Sequence, residues 1–403
     1  MKRQILNAIA EKLFIILEFP AYRNPINMKV DFFKHNITAV DRKALEKTLK
    51  GLFISTGDEV GQFEERFAEY LGVPCVVGVT SATAGLHLAI EALGIGKGDE
   101  VITTPMTFIA TANSILHTGA KPEFVDVEPD TGNIDAANLE KAITKRTKAI
   151  LPVHLYGQLC DMRAISKIAK AHKLKIVEDA AHAVEAKRDG VGAGQLGDAA
   201  AFSFYATKNL TSGEGGAISV HSEKLMKRLK QSRIHGMSKD AASRYQRRFE
   251  HYDMKFLGWK YNMSNIQAAL LLNQIGRIEK NLDARRRRWK IYIKELSAVD
   301  GIELPVIRPG AKSAMHLFTI RVPARHRDRI LRRLEEKGVG VAVNFRPIHY
   351  MTYYKKNFGL KKGMFPNAER IGDRVVTLPF YPSMKTEQIK YVASCLKDIM
   401  ASL

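Results

Sequence analysis

Between residues 60 and 220 the apolar positions follow two rhythms that take turns along the chain. QFEERFAEYLG repeats at helical spacing, with Phe63, Phe67 and Tyr70 on one side. Cys75–Val79 is a short continuous apolar run, which predicts a buried strand. TSATAGLHLAIEALG then places small hydroxyl residues directly before a helix reaching Leu93. VITTPMTFIATANSIL predicts a strand feeding a helix, KPEFVDVE and AILPVHLYG predict strands, DMRAISKIAKAHK a helix, and LKIVEDAAHA a further strand. In GDAAAFSFYATKNLTSGEGGA a small-residue β-favouring run (199–204) is followed by Lys208. A Thr, Ser and Gly loop then leads into a second apolar run at 217–220. Alternation of this kind predicts an α/β fold with a mostly parallel sheet and ligands at the strand C-terminal ends.

Beyond a long helical region (264–296), HLFTIRV, GVAVNF and TLPFY predict strands, while RDRILRRLEEKG and TEQIKYVASCLKDIM predict helices. A smaller α+β unit is expected there. The expected division is an N-terminal extension without assigned role (1–27), a large domain (28–280) and a small C-terminal domain (281–403), with 28–50 packing on the small one. The apolar run LFIILEF is shorter than the roughly 20 residues of a membrane span. Glu18 and Pro20 interrupt it and no small-residue cleavage site follows. Neither a span nor a secretory signal is expected.

At 403 residues and 45% hydrophobic, the chain suits one large and one smaller domain with a substantial core. Cys75, Cys160 and Cys395 lie far apart with no CxxC, so no disulfide framework and no metal site are expected, and a reducing cytoplasm fits. The formal net charge of +21 would attract a diphosphate substrate as well as nucleic acid. The densest run, Arg285 to Arg288, sits among apolar residues at helical spacing and is expected to be a solvated helix face. There is no zinc-finger spacing, aromatic–basic RNA motif or heptad repeat.

Candidate chemistry gathers at the strand ends. Lys208 has small and apolar residues upstream and no acidic residue within five positions, a setting that lowers an amine pKa; an ordinary loop lysine is the plainer reading. Thr80, Ser81, Ala82 and Thr83, between a strand and a helix, can cradle a phosphate or simply cap the helix. Phe108 can cover a planar cofactor or join the core. Asp179, at a strand end, needs a partner, and a protonated pyridine nitrogen or an ordinary cap would serve. Its neighbour Glu178 is expected to be exposed. His182 can reach the same ring or rest in the core. Together these groups meet the needs of pyridoxal phosphate: an amine, an acid, phosphate donors and a flat face.

On these stretches, together with STGDEVGQFEERFAEYLG, PVHLYGQLCDM, GWKYNMSNIQAALLLNQI, VNFRPIHYMTYY and NAERIGDRVVTLPFYPSM, the chain resembles the DegT/StrS-type (DegT/DnrJ/StrS) sugar-nucleotide aminotransferases over residues 30–403. It looks most like those acting on UDP-linked 4-keto pentoses and hexoses. The resemblance implies the aspartate-aminotransferase-like fold (fold type I) and a cytoplasmic homodimer. Lys208 would hold the aldehyde of pyridoxal 5′-phosphate and later shuttle a proton. Asp179 would keep the pyridine nitrogen protonated, and His182 would approach the 3-hydroxyl, where many relatives carry Gln. Ala82, Thr83 and Ser203 would hold the phosphate and Phe108 would stack on the ring. Asn262 would reach the phosphate bound by the partner subunit.

Glutamate is the implied amino donor and a keto sugar nucleotide the acceptor, aminated at C4, for lipid A, other lipopolysaccharide, capsule or amino-sugar synthesis. Arg233, His235, Arg346 and His349 are candidates to meet the diphosphate or the donor carboxylate. Two departures stand out: Ser81-Ala82-Thr83 replaces the family's Ser-Gly-Thr, and Asn344-Phe345 replaces a common His-Tyr. A sugar-deoxygenating relative would carry His in place of Lys208. A pyridoxal enzyme of amino-acid metabolism and a nucleic-acid-binding regulator are the other readings.

Overall fold

A computed structural model describes residues 28–238 and 251–403. The expected extension at 1–27 lies outside the described residues. The strands are β1 (Cys75–Val79), β2 (Glu100–Thr103), β3 (Lys121–Phe124), β4 (Thr147–Ile150), β5 (Lys175–Asp179), β6 (Lys187–Arg188), β7 (Val191–Gly192), β8 (Ala199–Ser203), β9 (Gly216–Val220), β10 (Ala311–Lys312), β11 (Phe318–Arg321) and β12 (Val375–Leu378). Seven of them form one sheet in the order β1-β9-β8-β5-β4-β2-β3. Neighbours from β8 through β5, β4 and β2 to β3 run parallel. Only β9 runs against its neighbours, β1 and β8. The strands nearest the site are continuous apolar runs because helices cover both sheet faces.

Small residues set the spacing between sheet and helix. The helix Ala82–Ala92 lies over β8 and β9. A Cβ on Gly85 would stand only 3.2 Å from Ile218 and 3.3 Å from Ala201. Gly85 and the alanines of β8 therefore bring this helix, and its N-terminus, close to the strand ends. Phe63 and Phe67 pack edge-on against Phe202 and Phe204 on the other face, as the helical spacing of QFEERFAEYLG predicts.

The helix Ile278–Leu296 passes from one core to another. Ile278 packs in the core under the large sheet, whereas Leu282, Trp289 and Tyr292 join a core that includes Val30, Phe318, Ile330, Leu378 and Ile399. On this packing we propose a boundary inside that helix, near residue 280, with the segment at Val30 belonging to the smaller unit.

Several expectations are corrected. GVAVNF forms no strand: it makes one bridge, Ala342 to Thr377, and then turns away. The strand expected at TLPFY is Val375–Leu378, which pairs with β11 and stops before Pro379, a residue with no N–H for a ladder. The long helical region is two helices, Asn265–Ile275 and Ile278–Leu296. The arginine run is not a uniformly solvated face. Arg285 is 1% exposed and pairs with the buried Glu185, and only Arg287 of the four is fully on the outside. Cys75, Cys160 and Cys395 are free and buried. Among the described residues, no helix is long and apolar enough to cross a membrane and no acidic, His or Cys cluster is arranged to hold a metal.

Candidate active site

The turn after β1 begins the site. Ser81 caps the helix Ala82–Ala92, its Oγ accepting the Ala84 N–H at 3.1 Å. The amides of Ala82 and Thr83 have no intrahelical acceptor and point, with the positive helix end, at whatever lies before them. This turn rests on the first residue of β9. A Cβ on Gly216 would lie 2.4 Å from the Ser81 carbonyl carbon and 2.6 Å from Ala82 N, so glycine is required there by contact.

Asp179 ends β5 and is 7% exposed. Its Oδ1 accepts the Ala181 N–H at 3.1 Å, and its Oδ2 accepts the Thr111 hydroxyl at 2.7 Å. Thr111 in turn shares a 2.8 Å hydrogen bond with Thr107. The carboxylate is thus aimed by two neutral donors and carries no intramolecular salt bridge among the described residues.

Glu178 overturns its expectation. It is fully buried, and its carboxylate accepts from Gly194 N, Gly197 N and His154 Nε2, each at 2.8 Å. Side chains alternate along a strand, so burying Glu178 on one face leaves Asp179 free to face the other. Two glycine amides and an imidazole supply what a buried carboxylate needs.

Lys208 sits in the turn after β8, its own N–H bonded to Tyr205 O at 2.9 Å. Its amine has no hydrogen-bond partner among the described residues. Burial pushes the amine down to about 8, with the nearby Asp179 charge partly opposing that drop. His182 Nδ1 accepts the Tyr156 N–H at 3.3 Å. The His182 ring lies nearly parallel to Phe345, centroids 5.9 Å apart, and 4.4 Å from the His316 ring. Burial, then the Lys208 charge, holds both histidines well below the usual imidazole range, so both are neutral.

Lys208, Asp179, His182, Ala82, Thr83, Ser203 and Phe108 line one cavity of about 530 Å³ at the C-terminal ends of the parallel strands. Phe108 is 56% exposed, and its ring lies 5.9 Å from that of Phe345, another residue of the wall. Asn262 is not on the wall: its Nδ2 donates to Thr56 Oγ1 at 2.7 Å, beside a second hollow lined by Thr56 and Arg233. The four other candidates are not brought to the Lys208 cavity either. Arg233 is buried, with its charge met by Glu64 and Gly78 O. His349 is buried against Glu369 at 3.0 Å. His235 and Arg346 are exposed, Arg346 lying over the Tyr350 ring. Their expected role as substrate contacts finds no support in this geometry.

Three residues of the site were not foreseen: Thr107 and His316 line the cavity, and Thr111 holds Asp179 from behind. The two threonines fall where a strand feeds a helix in VITTPMTFIATANSIL, and His316 opens HLFTIRV. Thr111 and His316 are each defined by a partner far away in sequence.

The donor set fits pyridoxal phosphate: a free amine of depressed pKa, a carboxylate with no cation bound to it, and a helix N-terminus lined by hydroxyls. On the edge of a mostly parallel sheet this defines a fold-type-I pyridoxal-phosphate transferase. The model of the DegT/DnrJ/EryC1/StrS aminotransferase family matches residues 35–397, and the chain belongs to that family of pyridoxal-phosphate-dependent sugar aminotransferases. It is 41% identical to the spore coat polysaccharide biosynthesis protein SpsC of Bacillus subtilis, over 92% of this chain and 97% of that one. It is 37% identical to GDP-perosamine synthase of Caulobacter vibrioides, over 86% and 91%. The PMP form of Spr1654 from Streptococcus pneumoniae superposes with a TM-score of 0.87 at 30% identity, over 93% of this chain and 99% of that one.

Proposed function

We propose that this enzyme moves an amino group from glutamate to the C4 carbonyl of a UDP-linked keto sugar, for cell-surface polysaccharide or amino-sugar synthesis. Lys208 in one cavity with Asp179 and the Ser81–Thr83 turn carries the reading, and the sugar-directed names of the relatives give it its substrate class. The bound cofactor supplies an electron sink for the carbon that loses or gains the amine. Asp179 would keep the pyridine nitrogen protonated. Lys208 would anchor the cofactor and, when free, accept and return a substrate proton at Nζ; its depressed pKa keeps a useful fraction unprotonated near neutral pH. The amides of Ala82 and Thr83 and the hydroxyls of Thr83 and Ser203 would hold the phosphate. Phe108 would cover the flat ring, and His182, neutral with Nε2 carrying its proton, would donate to the 3-oxygen.

Among the described residues the wall of this cavity carries no arginine and no lysine beyond Lys208. On the resemblance, Asn262 adds a side-chain amide to the phosphate in the partner subunit, in a homodimer with shared sites. The enzyme converted to its pyridoxamine form, mixed with keto sugar nucleotides one by one, tests the assignment. Loss of the pyridoxamine absorbance should be fastest with a UDP-4-keto sugar. Turnover with 2-keto acids of amino-acid metabolism, and with no keto sugar, would overturn it.

A further inference from the structure

His316 is absorbed by none of the roles above, although its ring is 5% exposed and lines the Lys208 cavity. Its protonation pattern can be read from the groups behind it. Asn209 Nδ2 donates to Glu185 Oε2 at 2.9 Å and to Ala314 O at 3.2 Å. Both are acceptors only, so the Asn209 amide has one permitted orientation and its Oδ1 must accept. That oxygen lies 3.1 Å from His316 Nδ1, which therefore carries the ring proton. Glu185 is fixed by the buried Arg285, whose Nε donates to the same Ala314 O at 3.2 Å. The chain Arg285–Glu185–Asn209 thus locks His316 as the Nδ1–H tautomer and leaves Nε2 as a lone pair without a protein partner among the described residues.

His182 is locked the opposite way. Its Nδ1 accepts the Tyr156 N–H, so Nε2 bears its proton. Two imidazoles 4.4 Å apart thus offer the cavity one donor and one acceptor.

We propose that His316 is a positioning residue for Lys208: its Nε2 lone pair accepts a hydrogen bond from the lysine ammonium once that side chain turns from the position it holds here, where neither atom has a partner among the described residues. The inference rests on the aminotransferase reading. A displaced lysine that has taken a substrate proton is a cation in a largely apolar cavity, and Asp179 is committed to the ring nitrogen. A neutral acceptor steadies the ammonium without a counter-charge that would hold it too tightly to give the proton back. The proton stays on Nζ throughout and none passes to His316. The charged or titratable neighbours are His154, His182, Asp179, Tyr205 and Glu214 on the cavity wall and Glu185 and Arg285 behind Asn209.

Two measurements on cofactor-free protein test this independently of any substrate. Nitrogen-15 NMR of the imidazoles should show His316 protonated at Nδ1 and bare at Nε2; the reverse tautomer, or an imidazolium at neutral pH, overturns the proposal. The pH dependence of Lys208 labelling by an amine-directed acylating reagent should shift down by about one unit in His316→Phe, because a hydrogen bond to a charged donor is lost. His316→Gln, whose carbonyl can accept, should recover most of that shift. An unchanged Lys208 profile in a folded His316→Phe protein overturns the proposal. Should the tautomer and the shift be found while no keto sugar is aminated, the failure lies with the function reading and not with His316.

Discussion

Thr111 Oγ1 donates to Asp179 Oδ2 at 2.7 Å, tying the start of the helix Ala110–His117 to the end of β5. On the proposed function this carboxylate faces the pyridine nitrogen, and it is aimed by a residue 68 positions away. Thr111→Val keeps the shape and removes the donor. A hydrogen bond to a charged group is worth about 1.5–3 kcal/mol, so kcat should fall roughly ten- to a hundred-fold with KM for the sugar little changed. Asp179→Asn should retain cofactor and lose turnover by orders of magnitude. Steady-state kinetics on the two variants check the ranking.

The contact between Gly216 and the Ser81–Ala82 turn makes a second prediction. Gly216→Ala forces that turn away from β9, because no Cβ fits 2.4 Å from a backbone carbon. Cofactor affinity of the apoenzyme should weaken at least about ten-fold, or about 1.4 kcal/mol. Circular dichroism should still report the native helices. Unaltered affinity in titrations with pyridoxal phosphate would show that the turn does not set the phosphate grip.

Lys208 has its folded pKa lowered from the ordinary lysine value of 10.5 to about 8. The unfolded chain therefore binds more protons at this site between pH 8 and 10.5, and stability of the apoenzyme rises with pH across that window. Below pH 8 the full penalty of the buried ammonium is present. In cofactor-free protein, capture of an aldehyde at Lys208 should rise with pH to a midpoint near 8. Lys208→Met should abolish that capture and flatten this part of the stability profile. A capture midpoint near the ordinary lysine value would place the amine in water.

How far the sequence speaks for itself differs from residue to residue. β1, β5, β8 and β9 are continuous apolar or small-residue runs between turn signals, and they lie where the pattern puts them, within a residue or so. Lys208, Asp179 and the Ser81–Thr83 turn were legible because strand ends and helix starts are local features. Thr111, Glu178, Arg285 and His316 were not. A threonine beside a helix start looks like a cap, and nothing near it in sequence announces Asp179. Glu178 looks like a solvent-facing charge until Gly194, Gly197 and His154 arrive around it. Arg285 stands in a run of arginines, and only Glu185, 100 residues earlier, makes burial tolerable. Each depends on a long-range partner that local pattern does not carry.

The proposed sharing of the site between subunits predicts complementation. Asn262→Ala should weaken cofactor binding roughly ten- to a hundred-fold through one lost hydrogen bond to a charged group. Mixed with inactive Lys208→Ala, it should regain part of the activity at limiting cofactor. In the mixed dimer one site carries both lesions and the other none. If mixed dimers form without any recovery, Asn262 serves its own subunit's site or none.

The central claim is that Lys208 is the residue that binds the cofactor covalently. Borohydride reduction of purified holoenzyme followed by peptide mapping tests it most directly. The account predicts a reduced pyridoxyl adduct on Lys208, in the peptide containing FSFYATKN, and none in Lys208→Ala. An adduct on another lysine, or no adduct from protein that carries cofactor, would contradict it.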